Sequence, residues 1–474
     1  MKQNTYVKYW DVIVAVFVAS ILAVVLLGGR AFYLIPFLCV AYLIPYGIFV
    51  HSQYCSFIGR MSLSIAFVSM SVFMLLNYWQ STVLLGTVEE PFLLHDALSF
   101  YILSHDIHQG TLNENSPIVP YMAYPIFLSW WIDIGVIDIA YPIILNIGLM
   151  LISISLVGRC VYFVIVDRAV AQRVSGYAML LVSVIPGVLG MATLLAKEPF
   201  VILAMMLCVC ALYAIKQRYK TYKYWLLFVV GLVLLATFRV TYIYIIALFA
   251  IVILGYKLKR CDVLPIVAVV VAMALMICVG VHLSWWGDGS YIEGYISDKN
   301  NHNSFFCGES QLPLQQLVGS YNDHPLWLKL CLLPMSVAIQ FMIPFPFMTA
   351  APDYGLPISM TVYHRMSYLW YLAAIPMLMY YLFYWWRKGG ITKLNLLATV
   401  AAVSYCVPAF ITAGSVSRYA YCFVPFIAVM GGYVLYRIAG EKQELKRMAV
   451  FAVVYIVLIL SALFVGANPH LIVK

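Results

Sequence analysis

Apolar residues in this chain fall in long blocks divided by short polar joints. Backbone polar groups in lipid must be satisfied within the segment, so blocks near 20 residues long can only be helices. The pattern predicts an all-α, polytopic helical membrane protein with spans at 12–28, 31–50, 61–86, 139–166, 174–196, 199–215, 224–237, 240–256, 263–284, 366–386, 392–413, 419–437 and 448–466. That is about 13 crossings, within a range of roughly 11 to 14. The pair 224–237 and 240–256 is short, with Arg239 at its turn, and reads as a hairpin that does not cross completely. Two long polar stretches interrupt the series, 87–138 and 285–325, and a Pro-containing apolar segment, 326–348, reads as re-entrant or interfacial.

Charge gives the orientation. With the N-terminus in the cytoplasm, the cytoplasmic joints and span ends collect 20 of the 28 basic residues. The other side keeps Arg30, Lys197, Arg239, Lys299, Lys329, Arg365, Arg418 and Lys474. Such a bias is what the positive-inside rule requires. A crossing by 326–348 would move Arg387, Lys388 and Lys393 outside, which is why that segment is not counted as a span. Of the 19 acids, 14 fall outside, most of them in 87–138 and 285–325.

Composition agrees with lipid burial: 64% of the residues are hydrophobic and 10% are charged. Soluble domains carry about 25% charged residues. The net charge of +9 resides in short clusters between apolar blocks and forms no basic stripe interleaved with aromatics, so nucleic acid is not the expected partner. Most cysteines lie inside apolar blocks, where they act as small hydrophobes. The first apolar block lacks a small-residue cleavage site and reads as a retained span. No Gly-rich phosphate loop and no internal repeat is present.

The first outer stretch carries the most chemistry. The segment EEPFLLHDALSFYILSHDIHQG, 89–110, reads as a helix at the membrane surface, with Asp96, Phe100 and the Leu103/Ser104 pair on neighbouring faces and Gly110 as its stop. Pro117, Pro120 and Pro125, spaced through aromatics, then suggest an ordered loop docked on the membrane, with Trp130 and Trp131 in an interfacial belt. A carboxylate just beyond a span end sits at lowered dielectric, where its pKa rises and it can act as a general base. Glu89, Glu90 and Asp96 are the acids so placed. Each can equally be a solvated carboxylate or a helix cap. No cofactor is fixed by the pattern; such a carboxylate can also coordinate a divalent cation, and His95, His105 and His108 stand at short spacing.

An acid near the end of an early span, an aromatic a few residues on and a later glycine resemble the GT-C superfamily of membrane glycosyltransferases that use polyprenyl-phosphate sugars. The matching residues are Asp96, Tyr101, Gly110, Pro120, Tyr121, Tyr124, Pro125 and Trp131. The family's Asp-Glu pair reads Asp96-Ala97 here, and three spans precede the loop where the family commonly has one. The Lys197-Glu198-Pro199 turn, the Arg418-Tyr419 element with Pro425, and the Pro-aromatic segment 343–352 are similar to further elements of those families.

The resemblance implies sugar transfer from a polyprenyl-phosphate donor to a glycan or lipid acceptor on the non-cytoplasmic face of a bacterial inner membrane. Asp96 is then the base, with Glu89 or Glu90 competing. Arg418, Lys197, Arg239 and Arg365 are the candidate phosphate ligands, since few other cations lie outside and Arg suits bidentate phosphate contact. Tyr101, Tyr121, Tyr124 and Trp131 form the substrate loop. Three alternatives stand beside this: a polysaccharide polymerase or O-antigen ligase, a lipid-linked oligosaccharide flippase, and an envelope scaffold.

Overall fold

A computed structural model describes residues 10–28, 31–84, 96–112, 122–133, 138–218, 221–257, 263–284, 374–385, 392–412 and 421–467. Those residues are all-helical, with no strand among them. In chain order the helices are α1 (Trp10–Leu27), α2 (Ala31–Val50), α3 (Phe57–Trp79), α4 (Asp96–Gln109), α5 (Ala123–Asp133), α6 (Ala140–Val164), α7 (Arg168–Ser183) and α8 (Pro186–Ala192). They continue as α9 (Glu198–Arg218), α10 (Tyr222–Arg239), α11 (Thr241–Gly255) and α12 (Val263–Ser284). Then come α13 (Ala374–Tyr384), α14 (Lys393–Thr412), α15 (Val424–Gly440) and α16 (Lys442–Ala467).

Among the described residues six helical stretches are long and apolar enough to cross a membrane: Phe32–Val50, Phe57–Thr82, Ala140–Val164, Glu198–Gln217, Tyr222–Arg239 and Tyr421–Gly440. The second short element of the expected hairpin, α11, is 15 residues long, whereas α10 reaches the length of a span. The outer helices leave large apolar side chains exposed, among them Phe17, Val25, Phe32, Leu226, Leu275 and Val450. Continuous apolar surface of that kind matches lipid rather than water.

The expected span 174–196 is divided. Asp167 caps α7 by accepting from the Ala169 and Val170 N–H groups, so that helix begins earlier, at Arg168. It stops at Ser183, and Pro186 opens the separate helix α8. Proline has no N–H to donate and its ring clashes with the carbonyl four residues back, which kinks or breaks a helix; α2 continues through Pro36 and Pro45, whereas here the helix breaks. The expected docked loop after Gly110 also differs: residues 123–133 form helix α5, with Pro125 in its first turn, where a missing N–H is tolerated.

Helix α9 is the axis of the bundle. Its most apolar 18-residue window is 94% buried, and α6, α10 and α11 pack around it. A 21-residue helix is about 31 Å long, so its two ends lie at opposite faces of the bundle. Helices meet closely through small residues: Gly432 of α15 lies against the backbone of Ala178 on α7, and Gly158 of α6 against Ser175. One face of the bundle carries the pair Asp11–Arg60, with Tyr46 donating to Asp11 at 2.8 Å. It also carries Glu444, which accepts from Tyr380 and pairs with Arg447. The other face carries the turn that starts α9.

Candidate functional site

The turn before α9 is built from its own backbone and one residue of α6. The Lys197 carbonyl accepts the first N–H bonds of α9, from Phe200 at 3.1 Å and Val201 at 3.3 Å, so Lys197 stands at the helix N-cap. Glu198 then falls in the first turn, where the helix dipole favours a carboxylate. Pro199 has no N–H to leave unsatisfied there. The Asn146 side-chain amide donates to the carbonyls of Leu194 (3.1 Å) and Ala196 (3.0 Å), which supplies partners for two buried groups that no helix satisfies.

Charge gathers at this turn although it is buried. Lys197 and Glu198 are each only 5% exposed. Arg239, at the last position of α10, lies 3.7 Å from Glu198, with both side chains largely buried. The direct join of α10 to α11 puts the Tyr242 ring 5.5 Å from the Arg239 guanidinium, and Tyr242 in turn stacks on Phe423 at 5.9 Å. Cys422 lies within electrostatic reach of Arg239 and Glu198. Counting Lys197, Glu198 and Arg239, the junction has one positive charge in excess.

Helices α4 and α5 close over the junction. The Phe100 ring of α4 lies 5.0 Å from the Lys197 ammonium, a cation–π contact, and meets Tyr124 of α5 edge to face at 5.2 Å. Tyr124 is fully buried and also borders Phe200 and Phe238. Burial pushes the Tyr124 phenol up, as does the charge of Glu198, while Asn146 opposes them. The phenol is therefore held as a neutral donor. Among the described residues neither the Tyr124 hydroxyl nor Asn146 Oδ1 has a hydrogen-bond partner. A buried polar group left unmade costs about 1–3 kcal/mol. The arrangement offers two cations and a neutral hydroxyl donor to an anionic group.

Of the residues singled out from sequence, Lys197, Arg239 and Tyr124 are brought together, and Phe100 joins them. Asp96 opens α4, one helical turn before Phe100, and only its backbone is described. Tyr101 points to a different neighbour, His105, at 4.6 Å. Trp131 packs on Phe127, which in turn packs on Phe200. Glu89, Glu90, Tyr121, Arg365 and Arg418 lie outside the described residues, as does the segment 326–348.

Two acids of the first loop have structural partners. Asp138 accepts from Tyr78 at 3.0 Å and from the Ala140 N–H at 2.9 Å, and Asp133 holds His108 at 2.5 Å, tying α5 to α4. Among the described residues no three His, Cys, Asp or Glu side chains converge as metal ligands would.

Asn146, Glu198 and Tyr242 were not singled out as site residues from sequence. An asparagine inside the apolar run AYPIILNIGL is a signal, because a polar group in a span needs a partner. Tyr242 carries no such signal, being one aromatic among many. Compared with known families, with characterised proteins and with solved structures, the chain gives no match.

Proposed function

We propose that the chain is a membrane glycosyltransferase of GT-C type, which moves a sugar from a polyprenyl-phosphate donor to a glycan or lipid acceptor. The observation that supports this reading is the convergence of Lys197 and Arg239, both candidate phosphate ligands, beneath the α4–α5 helices of the first outer loop. Those two cations come from positions 42 residues apart, and Arg239 pairs with Glu198, the residue next to Lys197.

In this reading about 13 helices cross a bacterial inner membrane, the N-terminus is cytoplasmic, and the Lys197 face lies outside. Donor phosphate sits against Lys197 and Arg239, joined by Arg418 and Arg365. Charge that develops on the departing phosphate is stabilised by cations already held in place. Asp96, at the N-terminus of α4, takes the acceptor hydroxyl proton, with Glu89 or Glu90 as the competing base. The aromatic side chains of the loop, Tyr101, Tyr121, Tyr124 and Trp131, border the sugar and lipid. A divalent cation bridging phosphate and carboxylate is compatible with the same set.

The test uses the purified full-length chain in vesicles containing a radiolabelled polyprenyl-phosphate hexose and extracted envelope glycan. Release of polyprenyl phosphate with label entering the glycan is expected. Asp96→Asn should lower that transfer more than 100-fold with unchanged protein yield, and Lys197→Gln should weaken donor use about tenfold, as loss of one charge-assisted contact does. Full activity of Asp96→Asn would remove the base assignment. Full activity of Lys197→Gln and Arg239→Gln together would remove the site.

A further inference from the structure

The bundle has a second polar feature at its opposite face. The last turns of α9 and α11 and the first turn of α14 surround a cavity of about 220 Å³. Tyr213, Lys216, Gln217, Tyr256, Lys257 and Lys393 supply its polar lining, with Ile253 and Leu396 as apolar wall. From Glu198 to Lys216 along α9 the rise is about 27 Å, so the cavity is distinct from the charged junction.

Two of the lysines have an ordinary explanation. Lys216 and Lys257 follow helix C-terminal turns, where cations meet exposed carbonyls, and Lys216 donates to the Leu254 carbonyl at 2.9 Å. Lys257 adopts φ +47°, a left-handed conformation that glycine or asparagine normally takes after a helix. Lys393 has no such explanation. It opens α14, and the N-terminal end of a helix disfavours a cation. It also stands near enough to Lys216 for the two like charges to repel. The described residues lining the cavity include three ammonium groups and no carboxylate.

We propose that this cavity is a binding site for a small phosphate anion, held between Lys216, Lys257 and Lys393. A shared anion turns the repulsion between Lys216 and Lys393 into attraction to a common partner, and the α14 N-terminus adds its dipole to the same end. The volume suits a phosphate group with a few attached atoms, being several times the roughly 30 Å³ share of one water. It is below the roughly 300–1,000 Å³ of pockets that take drug-sized ligands, so the cavity suits the phosphate end of a ligand. The anion can arrive as the headgroup of an acidic phospholipid or as soluble phosphate.

The experiment is thermal unfolding of the full-length chain in nanodiscs, made of phosphatidylcholine alone or with one third phosphatidylglycerol, with and without inorganic phosphate. Wild type should unfold at a higher temperature with phosphatidylglycerol, or with phosphate in the neutral discs; the arm that responds identifies the source. A Lys216→Gln/Lys393→Gln variant should need at least tenfold more of that anion for the same shift. Lys442→Gln, an exposed lysine near the same face, should respond as wild type does. The wild-type titration stands even where the double variant folds poorly. Equal unfolding temperatures of wild type in every arm, or equal loss of response in Lys442→Gln, would overturn the site.

Discussion

Glu198 pairs with Arg239 from the next helix, and its sequence neighbour Lys197 directs its ammonium to the Phe100 ring. Removing one member of a buried pair leaves the other charge in a poor solvent, which costs about 3–5 kcal/mol. The Glu198–Arg239 contact is longer than the Arg437–Glu441 pair, at 3.7 against 2.6 Å, yet it is far less exposed. Burial decides between them, because an exposed i,i+4 pair contributes only about 0.3–0.5 kcal/mol. Glu198→Gln should therefore destabilise the chain by about 3 kcal/mol and Glu441→Gln by less than about 0.5 kcal/mol, read as denaturation in one detergent. Asn146 works through the backbone. Asn146→Leu leaves the Leu194 and Ala196 carbonyls without its amide and should destabilise by about 2 kcal/mol. It should also weaken donor use, since the turn carrying Lys197 loses its clamp; normal stability in that variant would show the clamp to be dispensable.

At the scale of elements, the site depends on where helices begin and end. Three starts, of α9, α11 and the turn Tyr421–Phe423 before α15, meet the end of α10 at one face. The break at Pro186 belongs to the same design, since α7 and α8 reach the Lys197 turn as two pieces rather than one straight rod. Helix α15 is held in register by close approach. A Cβ on Gly432 would lie 2.7 Å from the Ala178 backbone nitrogen, and backbone in a packed helix pair cannot yield. Gly432→Ala should thus separate α7 from α15 and lower stability by about 1–3 kcal/mol, the usual range for overpacking. Gly440→Ala, where a Cβ meets open space, is the matched control and should be near neutral. Equal behaviour of the two would refute the close-packing argument.

The whole molecule has two polar faces separated by an apolar body. One carries Lys197, Glu198 and Arg239 under α4 and α5; the other carries the lysine-lined cavity and the Asp11–Arg60 and Glu444–Arg447 pairs. In the proposed orientation the second face is the cytoplasmic one. Single cysteines placed at Leu112, beyond α4, and at Lys442, at the start of α16, are both exposed. A membrane-impermeant thiol reagent should label the first in intact cells and the second only after the membrane is opened. The native cysteines are replaced by serine or alanine beforehand. Labelling of both from one side would contradict the two-faced arrangement.

Apolar helices of membrane-spanning length, and the all-helical character of the described residues, were readable from residues alone, because a bilayer imposes one length and one secondary structure on any apolar block. The stop of α4 at Gly110, where φ is +66°, was equally local, since a helix end is set by the residues at that end. The interest of Lys197 and Arg239 was legible too, as sparse cations on one side of the charge balance. Their meeting was not. Contact between α9, α10 and the α4–α5 pair depends on which faces of separate helices pack, and nearly uniform apolar faces carry no periodic mark of that choice. The same holds for Asn146 beneath the Lys197 turn and for Lys393 beside Lys216. Residues distant in sequence acquire a shared electrostatic problem only once the helices are packed, and that problem is what distinguishes the two faces.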